Sequence, residues 1–259
     1  MVVLCPSLIS AHRKPDPAST RFLVMSPLRS STSGKLRLIV VNHGVSEELL
    51  NDTMKVVTEF FEMPMEEKAS LYSQDPNEVC KLYTSNTNYD TENFHFWRDA
   101  LKHPCHPLEA CIQLWPQKMT RYSLTLGLPK HCDPNLITIL LQGSADGLQV
   151  FKDGQWLGVG LLPNALVVNI GHQLQIVSNN KLKSAEHRVT NSKVARNTVG
   201  LFISSRDDCI IQPAKSLTSE AEPPLYKPFR YKDFLSYYIS MMGDTESALQ
   251  PFKLPSNQC

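Results

Sequence analysis

The dipeptide Asp153-Gly154 constrains the fold most, because it joins Val150-Phe151 to Trp156-Leu157 as a two-residue turn between apolar runs. Asp-Gly tolerates the positive φ angles of a tight turn, so GLQVFKDGQWLGV reads as a β-hairpin. Its neighbours read the same way. Residues 136–142 form a β-rich or buried apolar run, LPNALVVNIGHQLQIVSNN reads as two further strands and SAEHRV as another. Strands in succession with short turns predict a mainly β sandwich or closed barrel. A length of 259 residues suits one such domain or two, and 42% hydrophobic content suffices for a sizeable core.

Helices flank this region. LRLIVVNHGV reads as a buried strand ending near Gly44, and Ser46 as an N-cap followed by Glu47 and Glu48 in the first turn. Leu50, Met54, Val57 and Phe61 then recur at helical spacing, Pro64 stops the helix, and residues 65–72 begin a second. Near the carboxyl end, residues 231–242 place Phe234, Tyr237 or Tyr238, and Met241 on one helical face, while PSNQC reads as frayed.

The chemistry is concentrated in His131-Cys132-Asp133. In an extended strand, residues two apart share a face, so an imidazole and a carboxylate could meet one ion there. Pro134 fits a strand end, where a site can open. Alone H-x-D is a weak signal, but His187 in SAEHRV supplies a third ligand. Two histidines and a carboxylate form the facial triad of non-haem Fe(II) oxygenases, whereas catalytic zinc also uses three protein ligands. Arg196-Asn197-Thr198, beginning nine positions after His187, separates the two. A guanidinium beside a hydroxyl clamps a carboxylate, as a 2-oxo acid co-substrate requires and a hydrolytic zinc site does not.

Other features narrow the function. With 26 basic and 25 acidic side chains the net charge is +1, which suggests no polyanion partner. Seven cysteines without a CxxC pair support neither a zinc ribbon nor a disulfide framework and point to a reducing cytoplasm. MVVLCPSLIS lacks the basic flank of a signal peptide, and no run is long enough to span a membrane. His43 reads as a loop residue and His172 as structural. HPCHP lacks any zinc-finger spacing.

The segments LTLGLPKHCDPNLITILLQG, GLQVFKDGQWLGV, LLPNALVVNIG and KLKSAEHRV together resemble the plant 2-oxoglutarate and Fe(II)-dependent dioxygenases, in the hyoscyamine 6-dioxygenase-like and downy-mildew-resistance-like branch. The likeness covers residues 36–116 and 123–254. It implies a double-stranded β-helix (jelly roll, cupin-like) core, Fe(II) held by His131, Asp133 and His187, and 2-oxoglutarate anchored by Arg196 and Thr198. It also implies ascorbate as reductant, dioxygen and a small plant metabolite as substrates, and succinate and carbon dioxide as co-products. NFHFWRDALKHPCHP resembles the segment leading to the substrate mouth, which places Phe94, Phe96 and Trp97 near a ligand. A monomer that binds no nucleic acid and no membrane is expected.

The chain then divides into an atypical, disordered segment (1–34), a partial amino-terminal dioxygenase region (35–122), a jelly-roll core truncated at its start (123–215) and an extension with a closing helix (216–259). Two departures qualify the resemblance. Between Tyr122 and Ser123 the family has several tens of residues, including a strand that lines the co-substrate pocket. A skipped exon or an incorrect gene model would account for this. The stretch from His187 to Arg196 is also one residue shorter than in the family, with Asn191-Ser192 as a turn to absorb the shift. A truncated paralogue acting as a binding protein, or a zinc-dependent hydrolase, is the alternative function.

Overall fold

The computed structural model describes residues 21–24, 37–75, 78–85, 98–103, 128, 130–190, 195–241 and 247–255. Along the chain, β1 (Arg21–Val24) and β2 (Arg37–Val41) precede helix α1 (Glu47–Phe61) and the single turn α2 (Met65–Lys68), which tightens into a 3-10 turn over Ala69–Leu71. Six strands follow: β3 (Lys81–Thr84), β4 (Asp99–Lys102), β5 (Ile137–Gln142), β6 (Leu148–Lys152), β7 (Gln155–Gly158) and β8 (Leu166–Ile170). Helix α3 (His172–Val177) leads to β9 (His187–Val189), β10 (Thr198–Ile203), β11 (Ile210–Ile211), β12 (Phe229–Arg230) and helix α4 (Tyr231–Ser240).

Among the described residues, one antiparallel sheet has the order β1-β2-β8-β5-β10, and a smaller one the order β7-β6-β9. Inward side chains of the larger sheet, Leu140 and Val167, meet Leu148 and Val150 of the smaller one and the flanking Val159 and Ala185 in a shared core. This is the jelly roll. Alternation along β5 and β10 turns Leu141 and Val199 outward, onto Leu50, Val57, Phe60 and Phe61 of α1. That helix begins as its sequence dictates: the Ser46 hydroxyl accepts from the Leu49 amide at 3.2 Å, with Glu47 and Glu48 in the first turn.

The hairpin is as expected. Phe151 pairs with Trp156 and Val150 with Leu157, and both Asp153 (φ 49°) and Gly154 (φ 79°) adopt left-handed angles. Residues 162–180 differ from the two expected strands: β8 is the first, but the second is helix α3. Its first amides donate backward, His172 to the Asp133 carbonyl (2.8 Å) and Gln173 to the Asn135 carbonyl (3.2 Å), so the chain turns instead of extending. His172, Gln173 and Ile176 are then buried together at helical spacing.

Helix α4 buries Phe234 completely against Ile176, Tyr226, Phe229, Leu249 and Phe252, with Tyr237 and Tyr238 packed alongside. At the other end, β1 pairs with β2 and extends the large sheet. The rest of residues 1–34, the Tyr122–Ser123 junction, Phe94, Phe96, Trp97 and the final four residues lie outside the described residues. Among the described residues, no helix is long and apolar enough to cross a membrane.

Candidate metal centre

His131 and His187 exchange two backbone hydrogen bonds (2.9 and 2.8 Å), an isolated antiparallel bridge at the end of the smaller sheet. The bridge sets their rings 4.3 Å apart between centroids. Asp133, two residues on and just past this pairing, brings Oδ1 to 3.5 Å from His131 Nε2 and 3.6 Å from His187 Nε2. One ligand atom from each residue lies within 4.8 Å of the others, the only such grouping among the described residues. The three side chains singled out by their spacing therefore converge.

Hydrogen bonding fixes how they face each other. His187 Nδ1 lies 2.9 Å from the Ala185 carbonyl, which can only accept, so Nδ1 carries the proton of a neutral ring. Nε2 then presents a lone pair toward Asp133 Oδ1. Two electron-rich atoms facing across a buried gap call for a cation between them, and this donor set suits a divalent metal. The Asp133 carboxylate is 2% exposed. Burial works against its ionisation and is the largest influence. His187 foremost, then His131 and the Thr138 hydroxyl, outweigh it and hold the carboxyl well below the usual carboxylate range.

The triad lines one wall of an open cleft of about 120 Å³. Arg196 and Thr198 line the same cleft, so the shortened link from His187 leaves both at the site, although residues 191–194 lie outside the described residues. Arg196 donates from Nη2 to Gln142 Oε1 at 3.3 Å, but its Nε is buried without a partner. Burial lowers its pKa to about 10, against the attraction of Asp146, and it remains cationic at neutral pH. A half-buried cation whose Nε lacks an acceptor fits an anionic ligand.

The ligand loop is braced from behind. Besides the two α3 amides, Tyr238 of α4 donates its hydroxyl to the Cys132 carbonyl at 2.6 Å. Tyr238→Phe is expected to cost about 1 kcal/mol of stability, read by denaturant unfolding. His172 sits behind the loop, edge-on to Phe234 and Tyr238 at 6.0 and 6.2 Å. Burial pushes its pKa down to about 4, so it is neutral and structural. His43 braces a loop, with Nε2 2.9 Å from the Asn164 carbonyl and Nδ1 accepting from the Val45 amide.

Sequence reasoning missed Thr138 and Asn169, both of which contact Asp133 Oδ2. A signal existed: each is a polar residue at an inward position of an otherwise apolar strand.

Residues 104–205 match the 2OG-Fe(II) oxygenase superfamily, and residues 30–118 match the family described as non-haem dioxygenase in morphine synthesis N-terminal. Barley 2'-deoxymugineic-acid 2'-dioxygenase is 35% identical over 256 residues, covering 77% of this chain and 75% of the relative. Hyoscyamine 6-dioxygenase of Hyoscyamus niger is 32% identical, covering 83% and 81%. The crystal structure of JOX2 in complex with 2OG, Fe and JA superposes with a TM-score of 0.67 at 28% identity, covering 85% of this chain and 82% of that one. With this triad inside a jelly roll and relatives matched over most of their length, the chain belongs to the 2-oxoglutarate- and Fe(II)-dependent oxygenases.

Proposed function

We propose that His131, Asp133 and His187 hold Fe(II), that Arg196 and Thr198 hold the far carboxylate of 2-oxoglutarate, and that the substrate is a small plant metabolite. The convergence of the three donors on one buried point carries this reading. When bound, iron with 2-oxoglutarate and dioxygen supplies the oxidising power that hydroxylates, desaturates or epoxidises a substrate, with succinate and carbon dioxide as co-products.

The chain's own part is placement. His131, Asp133 and His187 would hold the metal at the wall of the cleft. The Arg196 guanidinium, with an unmet Nε–H, and the Thr198 hydroxyl offer donors to a carboxylate. Phe61, Leu140, Leu148, Val189 and Phe202 give the cleft an apolar stretch beside Arg98, Asp99 and Asn197, which favours a substrate with a hydrophobic body and a polar group. A plant metabolite is supported by relatives whose names specify mugineic acids, hyoscyamine and flavanones. Ascorbate as reductant, a monomeric state and a cytoplasmic site belong to the same reading.

Anaerobic addition of Fe(II) and 2-oxoglutarate to the full chain is expected to produce a weak visible charge-transfer band, and oxygen to release succinate. Arg196→Leu should weaken 2-oxoglutarate binding roughly 10- to 100-fold by removing a charge-assisted hydrogen-bonding group. Iron binding without the band would assign the chain to the impaired, binding-only class.

A further inference from the structure

Thr138 on β5 and Asn169 on β8 are directly opposed across the large sheet. Both point inward, and both are buried, at 3% and 4% exposure. Their donors meet on one atom: Thr138 Oγ1 lies 2.8 Å, and Asn169 Nδ2 3.3 Å, from Asp133 Oδ2. The other oxygen, Oδ1, is the one facing His131 and His187.

The direction of each bond is set by its surroundings. Asn135 Nδ2 donates to Thr138 Oγ1 at 3.1 Å and to the Ile137 carbonyl at 2.7 Å, which occupies a lone pair of the hydroxyl. The single Thr138 proton has two acceptors in reach, Asp133 Oδ2 at 2.8 Å and Asn135 Oδ1 at 3.4 Å. The closer, charged oxygen takes it. The Asn169 amide faces two acceptors, Asp133 Oδ2 and, at 3.5 Å, His187 Nε2, so its NH2 end must point that way. Its Oδ1 is left buried without a partner beside the triad.

A carboxylate in contact with a metal can bind through one oxygen or through both, and the second oxygen would occupy a position the co-substrate or dioxygen needs. Here Oδ2 is engaged by two donors before any metal arrives. We propose that the cross-strand pair Thr138–Asn169 restricts Asp133 to one-oxygen ligation and so keeps a coordination position open for 2-oxoglutarate. Both are positioning residues, acting on the metal through Asp133. The inference rests on the reading of the triad as a metal site.

The test loads the full chain with Co(II) and titrates 2-oxoglutarate, following the visible absorption of the metal. Thr138→Val keeps the side-chain shape and removes the donor; Asn169→Leu removes the other. Each is expected to weaken 2-oxoglutarate binding about tenfold, in the range typical of an outer partner of a metal ligand. Co(II) affinity should fall less than co-substrate binding does, because the released oxygen joins the metal. Thr138→Ser should restore co-substrate binding, although its missing methyl leaves a small cavity. A purely structural role predicts the reverse: melting temperature and Co(II) affinity fall together, and serine does not rescue. Co-substrate binding within about twofold of the unaltered chain in both variants overturns the proposal, as does failure of serine to restore it. Loss of folding in both variants before metal is added assigns the pair to the scaffold and overturns it equally. If the unaltered Co(II) protein shows no response to 2-oxoglutarate, the reading of the site itself fails and takes this inference with it.

Discussion

Asp133→Ala is expected to abolish 2-oxoglutarate turnover. The side chain is the only carboxylate of the triad, and its Oδ1 is the point on which both imidazole nitrogens converge. Without it, two neutral imidazoles face a divalent cation with no negative charge to offset it. The loss should therefore exceed the about 10- to 100-fold expected when an outer partner of a ligand is removed. Two measurements check this: Fe(II) or Co(II) titration, and succinate release under saturating 2-oxoglutarate. The substitution also removes the nearer acceptor of the Thr138 hydroxyl and of the Asn169 amide, leaving only the longer contacts to Asn135 Oδ1 and His187 Nε2. Each buried donor left unpaired costs about 1–3 kcal/mol, so thermal melting must be followed in parallel. Asp133→Asn keeps the volume and much of the hydrogen bonding while removing the charge, and should lose turnover with less loss of stability. Succinate release by either variant within about tenfold of the unaltered chain would sink the assignment of Asp133 as a ligand.

The ligands were legible in the sequence because metal sites impose spacing that survives without knowledge of the fold. His131 and Asp133 are two apart, which puts both on one side of an extended chain, while the bridge that aligns His131 with His187 is a non-local pairing that the spacing does not announce. The hairpin at Asp153-Gly154 was legible for a similar reason, since few dipeptides tolerate two left-handed residues in succession. The outer partners were not. Thr138 and Asn169 lie 31 positions apart and meet only through the β5–β8 register, a non-local pairing that no short window contains. Helix α3 reads as strand because HQLQIV is short and its Gln173-Leu174-Gln175-Ile176 alternates polar with apolar, and its identity depends on amides bonding back to the Asp133 loop. Tertiary contact decided that segment, not local propensity.

That dependence makes Gly171 the position where the smallest change should do the most damage. Its backbone is extended (φ −93°, ψ 173°), a conformation open to any residue, so the constraint is one of space alone. A Cβ here would overlap the Asn135 carbonyl and lie 3.1 Å from the Asp133 carbonyl. Neither can recede freely. The Asp133 carbonyl accepts from His172, the Asn135 carbonyl from Gln173, and Gly171 itself donates to the Leu136 carbonyl at 2.9 Å. Relief of the overlap must break some of these bonds or push the loop that carries Asp133 toward the cleft. Ordinary overpacking against side chains costs about 1–3 kcal/mol, and a fixed backbone yields less than a side chain does. Gly171→Ala should therefore cost about 3 kcal/mol or more, lowering the melting temperature by roughly 6–12 °C in a chain of this size. Because a displacement of about 1 Å at a reacting centre can cost about 100-fold in rate, turnover should fall further than stability alone explains. Gly158 and Gly160 have open space where a Cβ would stand, so alanine there is the matched control, expected within about 0.5 kcal/mol of the unaltered chain. If Gly171→Ala melts and binds Co(II) as these controls do, the loop is not held by α3, and the coupling of that helix to the metal centre is wrong.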